Sequence, residues 1–213
     1  MKLNTLLSAS LAAAVLLVAG CASSGYEKAE DTSSTLEKAA RNIHKGNGRI
    51  DAVLFALTSL VNSPDANLRP QFEKFDSAVG KLKELADDVN EQAAAMQTQG
   101  ADYFRTWDEE LAKIQNEDIR TRSTDRKNAV AARFDKVRAS YVRTKADFVP
   151  FMSDLMDIRT ALATDLTSGG LASIKSVANK ANDNAVPLHE SLSNLEADFQ
   201  ALGISLSSDT PAK

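Results

Sequence analysis

Apolar and small residues recur from Leu36 onward with alternating spacings of three and four positions. This spacing averages 3.5 residues, which is typical of helices that bury one stripe against a neighbour and supercoil left-handed. A β-strand would instead need alternation with period two, and the chain lacks that alternation. The pattern therefore predicts helices, and its repeats fall into four segments, over residues 36–61, 72–111, 130–166 and 171–202.

Polar breaks separate these segments. Asn62–Asn67 is typical of a turn, and Pro70 suits the first turn of the helix that follows. The apolar repeat lapses over Gln115–Thr124, which predicts a turn or a bend, and Thr167–Gly170 predicts a stop and a restart. Since short connections make successive helices antiparallel, residues 36–202 are predicted to form one domain. Its fold class is all-α, an elongated antiparallel four-helix bundle or coiled coil with two long central helices.

The N-terminal residues 1–20 predict a cleaved signal peptide. Lys2 precedes an apolar stretch, Leu6–Val18, that is short for a membrane span. The stretch ends in Val18-Ala19-Gly20-Cys21, which resembles the bacterial lipobox. In that resemblance a signal peptidase recognises Val18, Ala19 and Gly20, and the thiol of Cys21 receives a diacylglyceryl group. The alternative is an ordinary signal peptide with Cys21 as an incidental free thiol.

Lipidation at Cys21 would make the membrane a partner, because two or three acyl chains hold a protein to a bilayer essentially permanently. Ala22 follows the cysteine, and resemblance to sorted lipoproteins of Gram-negative bacteria then favours the periplasmic face of the outer membrane. Residues 21–35 are small and polar after the cysteine, so they predict a flexible tether. Residues 203–213 predict a disordered tail.

Residues suited to catalysis or metal binding are scarce. One Cys excludes an internal disulfide, and two His leave little for a metal site, so no catalytic residue, metal or cofactor is predicted. The acidic string Trp107–Leu111 places successive carboxylates in different directions around a helix, which favours a solvated face over an acid/base pair. A net charge of −4 argues against nucleic acid as a partner.

Residues 119–145 carry nine basic and two acidic side chains, next to an acidic excess over residues 73–118. One interpretation is that the two helices dock through opposite charge. The other is an anion-binding face for headgroups or phosphates, with Arg133, Lys136 and Arg138 as its residues.

Aromatic residues recur at heptad spacing on the second and third segments, either as core or as the lining of a ligand groove. They are Tyr103, Phe104, Trp107, Phe134, Tyr141, Phe148 and Phe151. Pro150 and Pro187 lie inside helical patterns and predict kinks.

The chain resembles a bacterial domain-of-unknown-function family of secreted, lipoprotein-type helical proteins. The matching features are Trp107–Leu111, an Arg-rich helix that leads to Pro150-Phe151, and Ala172-Ser173-Ile174-Lys175 at the start of the last helix. The resemblance implies an all-α coiled-coil fold and a cell-envelope location, and it implies no catalytic residues.

The functional prediction is a non-enzymatic, lipid-anchored envelope protein that acts as a helical spacer or interaction scaffold. Continuous heptads would let it bind partner helices or self-associate. The alternative is a periplasmic binding module that holds a hydrophobic or anionic ligand between kinked helices.

Overall fold

A computed structural model describes residues 25–63 and 67–206 of the chain. Four α-helices follow one another, α1 (Gly25–Val61), α2 (Arg69–Leu111), α3 (Glu117–Thr164) and α4 (Ser168–Leu206). The longest, α3, has 48 residues, which corresponds to about 70 Å at 1.5 Å per residue. Within the described ranges all regular structure is helical, and α2 and α3 are the two longest helices. The predicted all-α four-helix bundle is confirmed.

Each helix packs against the helices before and after it, and α4 also packs against α1, which closes a ring. One of these four interfaces is smaller than the others. α1 packs along both α2 and α4, and α3 packs along α4. The contact between α2 and α3 is much smaller. The bundle is therefore least closed along its α2–α3 seam.

The turns lie close to the predicted breaks, with local hydrogen bonds that set where each helix begins. Asn67 accepts a hydrogen bond from the backbone N–H of Arg69, directly before Pro70 in the first turn of α2. Asn116 caps α3 by accepting from the N–H of Ile119 at 3.1 Å. Because that cap starts the helix at Glu117, most of the predicted break over 115–124 is helical, and the turn lies at 112–116. At the third turn, Thr167 accepts from the N–H of Gly170.

The first helix begins earlier than the apolar pattern predicts. α1 starts at Gly25, so the predicted flexible tether over 21–35 is wrong for residues 25–35. Thr32 and Ser33 are buried, and Ser33 donates a hydrogen bond to the backbone oxygen of Gly203 on α4. Small polar side chains allow this close approach without adding to an apolar stripe. The predicted tail over 203–213 is also wrong for residues 203–206, which end α4 and include the buried Leu206. Residues 207–213 lie outside the described ranges.

The buried side chains form two separate apolar cores, one toward each end of the bundle. The first core consists of Leu36, Ala39, Ala40, Ile43, Met96, Tyr103, Val130, Val137, Leu195, Phe199, Leu202 and Leu206. The second core consists of Ile50, Val53, Leu57, Leu60, Leu68, Phe75, Val79, Leu82, Phe151, Leu155, Ile158, Leu162, Ile174, Ala178, Ala181, Ala185 and Leu188. Most of these positions belong to the predicted helical stripes; the exceptions are Ala39, Val53, Leu60, Leu68 and Leu206. The heptad pattern therefore locates the cores. It does not reveal that they are divided.

Opposite charge contributes little to the α2–α3 seam. Among the cations of residues 119–145, Lys127 forms the one ion pair with α2 in the described part of the chain, and its partner is Asp108. Lys136 instead pairs with Asp198 on α4, while Arg126 and Arg133 donate to backbone oxygens of α4. The expectation that the basic stretch docks onto the acidic helix through opposite charge is therefore wrong for most of its residues. Three of the nine cations contact α4 instead.

Candidate functional site

Between the two cores lies a layer of polar side chains, called here the middle layer. Its residues reach across helix–helix seams and hydrogen-bond to one another. The contacts are Asn42 Nδ2 to Gln92 Oε1 (3.2 Å), Tyr141 Oη to Asn90 Oδ1 (2.6 Å), Thr144 Oγ1 to the backbone oxygen of Ser191 (3.1 Å), and His189 Nδ1 with Asn47 Oδ1 (2.8 Å). These groups interrupt the apolar packing at mid-length, since each needs a polar partner rather than an apolar neighbour.

A cavity of about 200 Å³ opens inside this layer and touches all four helices. We call it the central cavity. Its walls are mainly apolar, with Ile43, Gly46 and Ile50 from α1, Leu82, Leu85, Ala86 and Val89 from α2, Thr144, Phe148 and Val149 from α3, and Leu188, Leu192 and Leu195 from α4. Asn42, Asn90, Tyr141 and Lys145 add polar groups.

Small side chains explain why the core is not filled here. Gly46 faces Leu192, and a Cβ added at Gly46 would lie 3.7 Å from the nearest Leu192 methyl, so a methyl group would fit without strain. On α2, Ala86 stands where a larger residue would close the space. Protein interiors are densely packed and contain few such voids, so the central cavity is an exception within the bundle.

The central cavity reaches the surface along the thin α2–α3 seam. Leu85, Ala86 and Val89 of α2 are only partly buried, although the residues before and after them on the same helix face are buried. On α3, Phe148 is partly buried, and Lys145 is exposed. An apolar molecule would therefore enter between α2 and α3.

A second hollow of about 310 Å³, called here the side pocket, continues along the same seam. Tyr141 borders both hollows, so its hydrogen bond to Asn90 divides one groove into two parts. The walls of the side pocket include Phe104, Phe134 and Arg138. Gly100 makes room for Phe134, because a Cβ at that glycine would lie 3.0 Å from the ring.

The aromatic residues divide between the two roles that the sequence left open. Tyr103 and Phe151 are buried in the cores. Phe104 and Phe134 line the side pocket, where their ring centroids are 5.2 Å apart, edge to face. Tyr141 and Phe148 line the central cavity, and Trp107 packs against the first core while it donates a hydrogen bond to Ser123.

Burial in the groove raises the pKa of the Tyr141 hydroxyl above its ordinary value. Burial also raises the pKa of Tyr103, although nearby Arg126 opposes the shift. Both hydroxyls therefore stay protonated through neutral pH, and Tyr141 remains a hydrogen-bond donor to Asn90.

The three residues of the predicted anion-binding face do not share one face. Arg133 donates to the backbone oxygen of Ala201, and Lys136 forms an ion pair of 2.7 Å with Asp198. Both therefore point to α4. Arg138 lies on the other side of α3, at the side pocket. Only Arg138 is positioned toward the groove.

Two clusters of hydrogen bonds and ion pairs between α3 and α4 were not predicted from the sequence. Asp198 is buried and accepts from Ser140 and Lys136, and Asp154 is buried and accepts from Asn184 and Lys180. The two clusters have the same arrangement with the helices exchanged. In each, a buried carboxylate on one helix contacts two residues four positions apart on the other helix. The sequence feature that could have predicted these contacts is a series of polar residues at heptad spacing beside the apolar stripe. The series is Ser140, Asp147 and Asp154 on α3, and Asn184, Ser191 and Asp198 on α4.

Chemistry beyond binding has few candidates in the described residues. No group of three or more His, Cys, Asp or Glu side chains there is arranged to hold a metal ion. Asp108 and Glu110 of the acidic string pair with Lys127 and Lys113, respectively. The predicted lipidation residue Cys21 and the recognition residues Val18, Ala19 and Gly20 lie outside the described ranges.

Within residues 25–63 and 67–206, none of the helices is apolar over a stretch long enough to cross a membrane. Comparisons with curated proteins and with solved structures return no match. The family described as "Protein of unknown function (DUF2959)" matches residues 19–199, which is most of the chain. This match confirms the resemblance to a domain-of-unknown-function family. The chain belongs to the DUF2959 family.

Proposed function

We propose that this protein is a non-enzymatic, lipid-anchored envelope protein whose bundle binds an apolar chain in the central cavity. The observation that carries the proposal is the mainly apolar, four-helix lining of that cavity together with its opening along the α2–α3 seam. Ligand sites in helical bundles are built in this way, between facing helices and with a few polar groups at one side.

The size of the cavity supports a guest molecule. At about 200 Å³ it exceeds an engineered apolar cavity of about 150 Å³ that stays dry and binds benzene. Because the cavity opens along the α2–α3 seam, its apolar lining is accessible to solvent, and burial of apolar surface contributes roughly 25 cal/mol per Å². An apolar chain in the central cavity would gain free energy in this way.

Cavity filling tests the proposal. We expect 1-octanol to bind the full chain with Cys21→Ser, which carries no acyl chain that could fill the cavity. In that background Ala86→Phe should weaken the binding about tenfold or more, because the ring occupies the space between Ala86 and Gly46. Isothermal titration calorimetry measures the affinities. The matched control is Ala94→Phe, the same change at an exposed position of α2, which should leave octanol affinity unchanged. Absence of octanol binding to the Cys21→Ser chain, or equal binding after Ala86→Phe, would overturn the proposal.

The anchor is the second part of the proposal. It is supported by the apolar N-terminal stretch and by the position of Cys21 directly after Gly20. The family match begins at residue 19, so it includes Ala19, Gly20 and Cys21 of the lipobox-like segment. Because Ala22 follows the cysteine, the periplasmic face of the outer membrane remains the proposed location.

Mass spectrometry of the mature protein tests the anchor. We expect an N-terminus at Cys21 that carries a diacylglyceryl group and a further acyl chain, and we expect Cys21→Ser to leave the membrane fraction. Ala22→Ser, one residue further on, serves as the control and should stay membrane-bound. An unmodified Cys21 in the mature chain would contradict lipidation. The predicted scaffold role, with partner helices or self-association, stays a prediction that cross-linking in the envelope would test.

A further inference from the structure

α3 presents two cations to the groove, one on each side of Tyr141. Arg138 borders the side pocket and Lys145 borders the central cavity. The two residues are seven positions apart, which places them on the same face of the helix at an axial distance of about 10 Å. Tyr141 lies between them and borders both hollows.

Neither cation is neutralised in the way that neighbouring cations of α3 are. Lys127 and Lys136 form close ion pairs across helix seams. Lys145, in contrast, is exposed and forms no ion pair within the described ranges. Among the described residues Arg138 has a single ion-pair contact, 4.0 Å from Asp135, and both of those side chains are mostly exposed. Such an exposed pair contributes little and leaves the guanidinium available.

The α2 carboxylate next to the central cavity is paired elsewhere, whereas Asp135 of α3 lines the side pocket beside Arg138. Asp87 follows the cavity-lining Ala86 on α2, and its carboxylate is 2.7 Å from Lys83. The groove therefore combines an apolar interior with an α3 rim that carries two cations, Lys145 and Arg138, against one carboxylate, that of Asp135. An apolar chain with an anionic end is the ligand whose chemistry matches both parts.

We propose that the ligand is an anionic amphiphile, with its chain in the central cavity and its carboxylate or phosphate held by Lys145 and Arg138. This inference rests on the proposed apolar-chain binding and adds the charge of the headgroup. The guanidinium of Arg138 offers two parallel N–H donors to such an oxyanion, and the ammonium of Lys145 offers a point charge. The hydroxyl of Tyr141 lies between the two cations, within the same groove.

A series of eight-carbon ligands separates the headgroup from the chain. The protein is the full chain with Cys21→Ser, which lacks acyl chains that would compete for the cavity. We expect octanoate and octyl phosphate to bind about fivefold or more tighter than 1-octanol, and octylammonium to bind more weakly than 1-octanol. Lys145→Gln and Arg138→Gln should each reduce the advantage of the anions about threefold while 1-octanol affinity stays constant.

Arg143→Gln is the matched control, because Arg143 lies on α3 close to Lys145 but borders the α4 side of the helix. It should leave all affinities unchanged. Equal affinities for octanoate and 1-octanol would overturn the headgroup inference and leave chain binding intact, and so would an equal loss in Arg143→Gln. Failure of every ligand to bind would overturn the proposed function itself. A preference between octanoate and octyl phosphate distinguishes a fatty-acid source from a phosphate-bearing lipid.

Discussion

Gly170→Ala is expected to destabilise the bundle by about 3 kcal/mol, one of the two largest effects of a single substitution that we predict. A Cβ at Gly170 would lie 2.0 Å from the backbone oxygen of Asp165 and 3.0 Å from its carbonyl carbon. Both are backbone atoms at the end of α3, so no side chain can rotate away. The turn that joins α3 to α4 would have to open, and the hydrogen bond from the Gly170 N–H to Thr167 would be lost with it.

Urea unfolding followed by circular dichroism measures this effect. Gly169→Ala is the control, because its Cβ would be 3.5 Å from the Thr167 hydroxyl oxygen, an ordinary contact. Replacement of a helical glycine by alanine there should be neutral or stabilising by up to about 1 kcal/mol. Equal stability of the two variants would show that the turn tolerates a side chain at Gly170.

Phe151→Ala is expected to cost about 3–5 kcal/mol of folding stability. Phe151 is fully buried in the second core, and truncation removes its apolar area and leaves a cavity that rigid helices close only partly. The same truncation at Phe55, which is 76% exposed, should change stability by less than about 0.5 kcal/mol. Thermal or urea unfolding of the two variants makes the comparison, and a loss below about 1 kcal/mol for Phe151→Ala would contradict the tight packing of this core.

Much of the fold follows from the sequence because burial in a helical bundle depends on a periodic stripe. The spacing of three and four places Ile50 and Leu57 on the stripe of the first segment, and Leu155 and Leu188 on those of the third and fourth. All four are buried in the second core. Where burial involves small polar residues the pattern is silent. Ser33 is buried because it packs and hydrogen-bonds against Gly203, a residue far away in the chain, so its environment could not be read locally.

The candidate site was only partly predictable for a similar reason. Aromatic spacing identified Tyr141 and Phe148 as core or groove residues, but the choice between the two depends on how closely α2 approaches α3. Arg138 was in the predicted anion-binding face, whereas Arg133 and Lys136 of that face turn to α4. Lys145 was one basic residue among nine, and only the shape of the cavity distinguishes it.

The division of the apolar interior into two cores affects how a guest molecule would be exchanged. Since each end of the bundle has its own buried cluster, α2 and α3 can bow apart at mid-length while both ends stay packed. The hydrogen bond between Tyr141 and Asn90 is the direct link that such a motion must break there. The residence time of a ligand in the central cavity would then depend on how often the α2–α3 seam opens locally. The ligand could leave without unfolding of the domain.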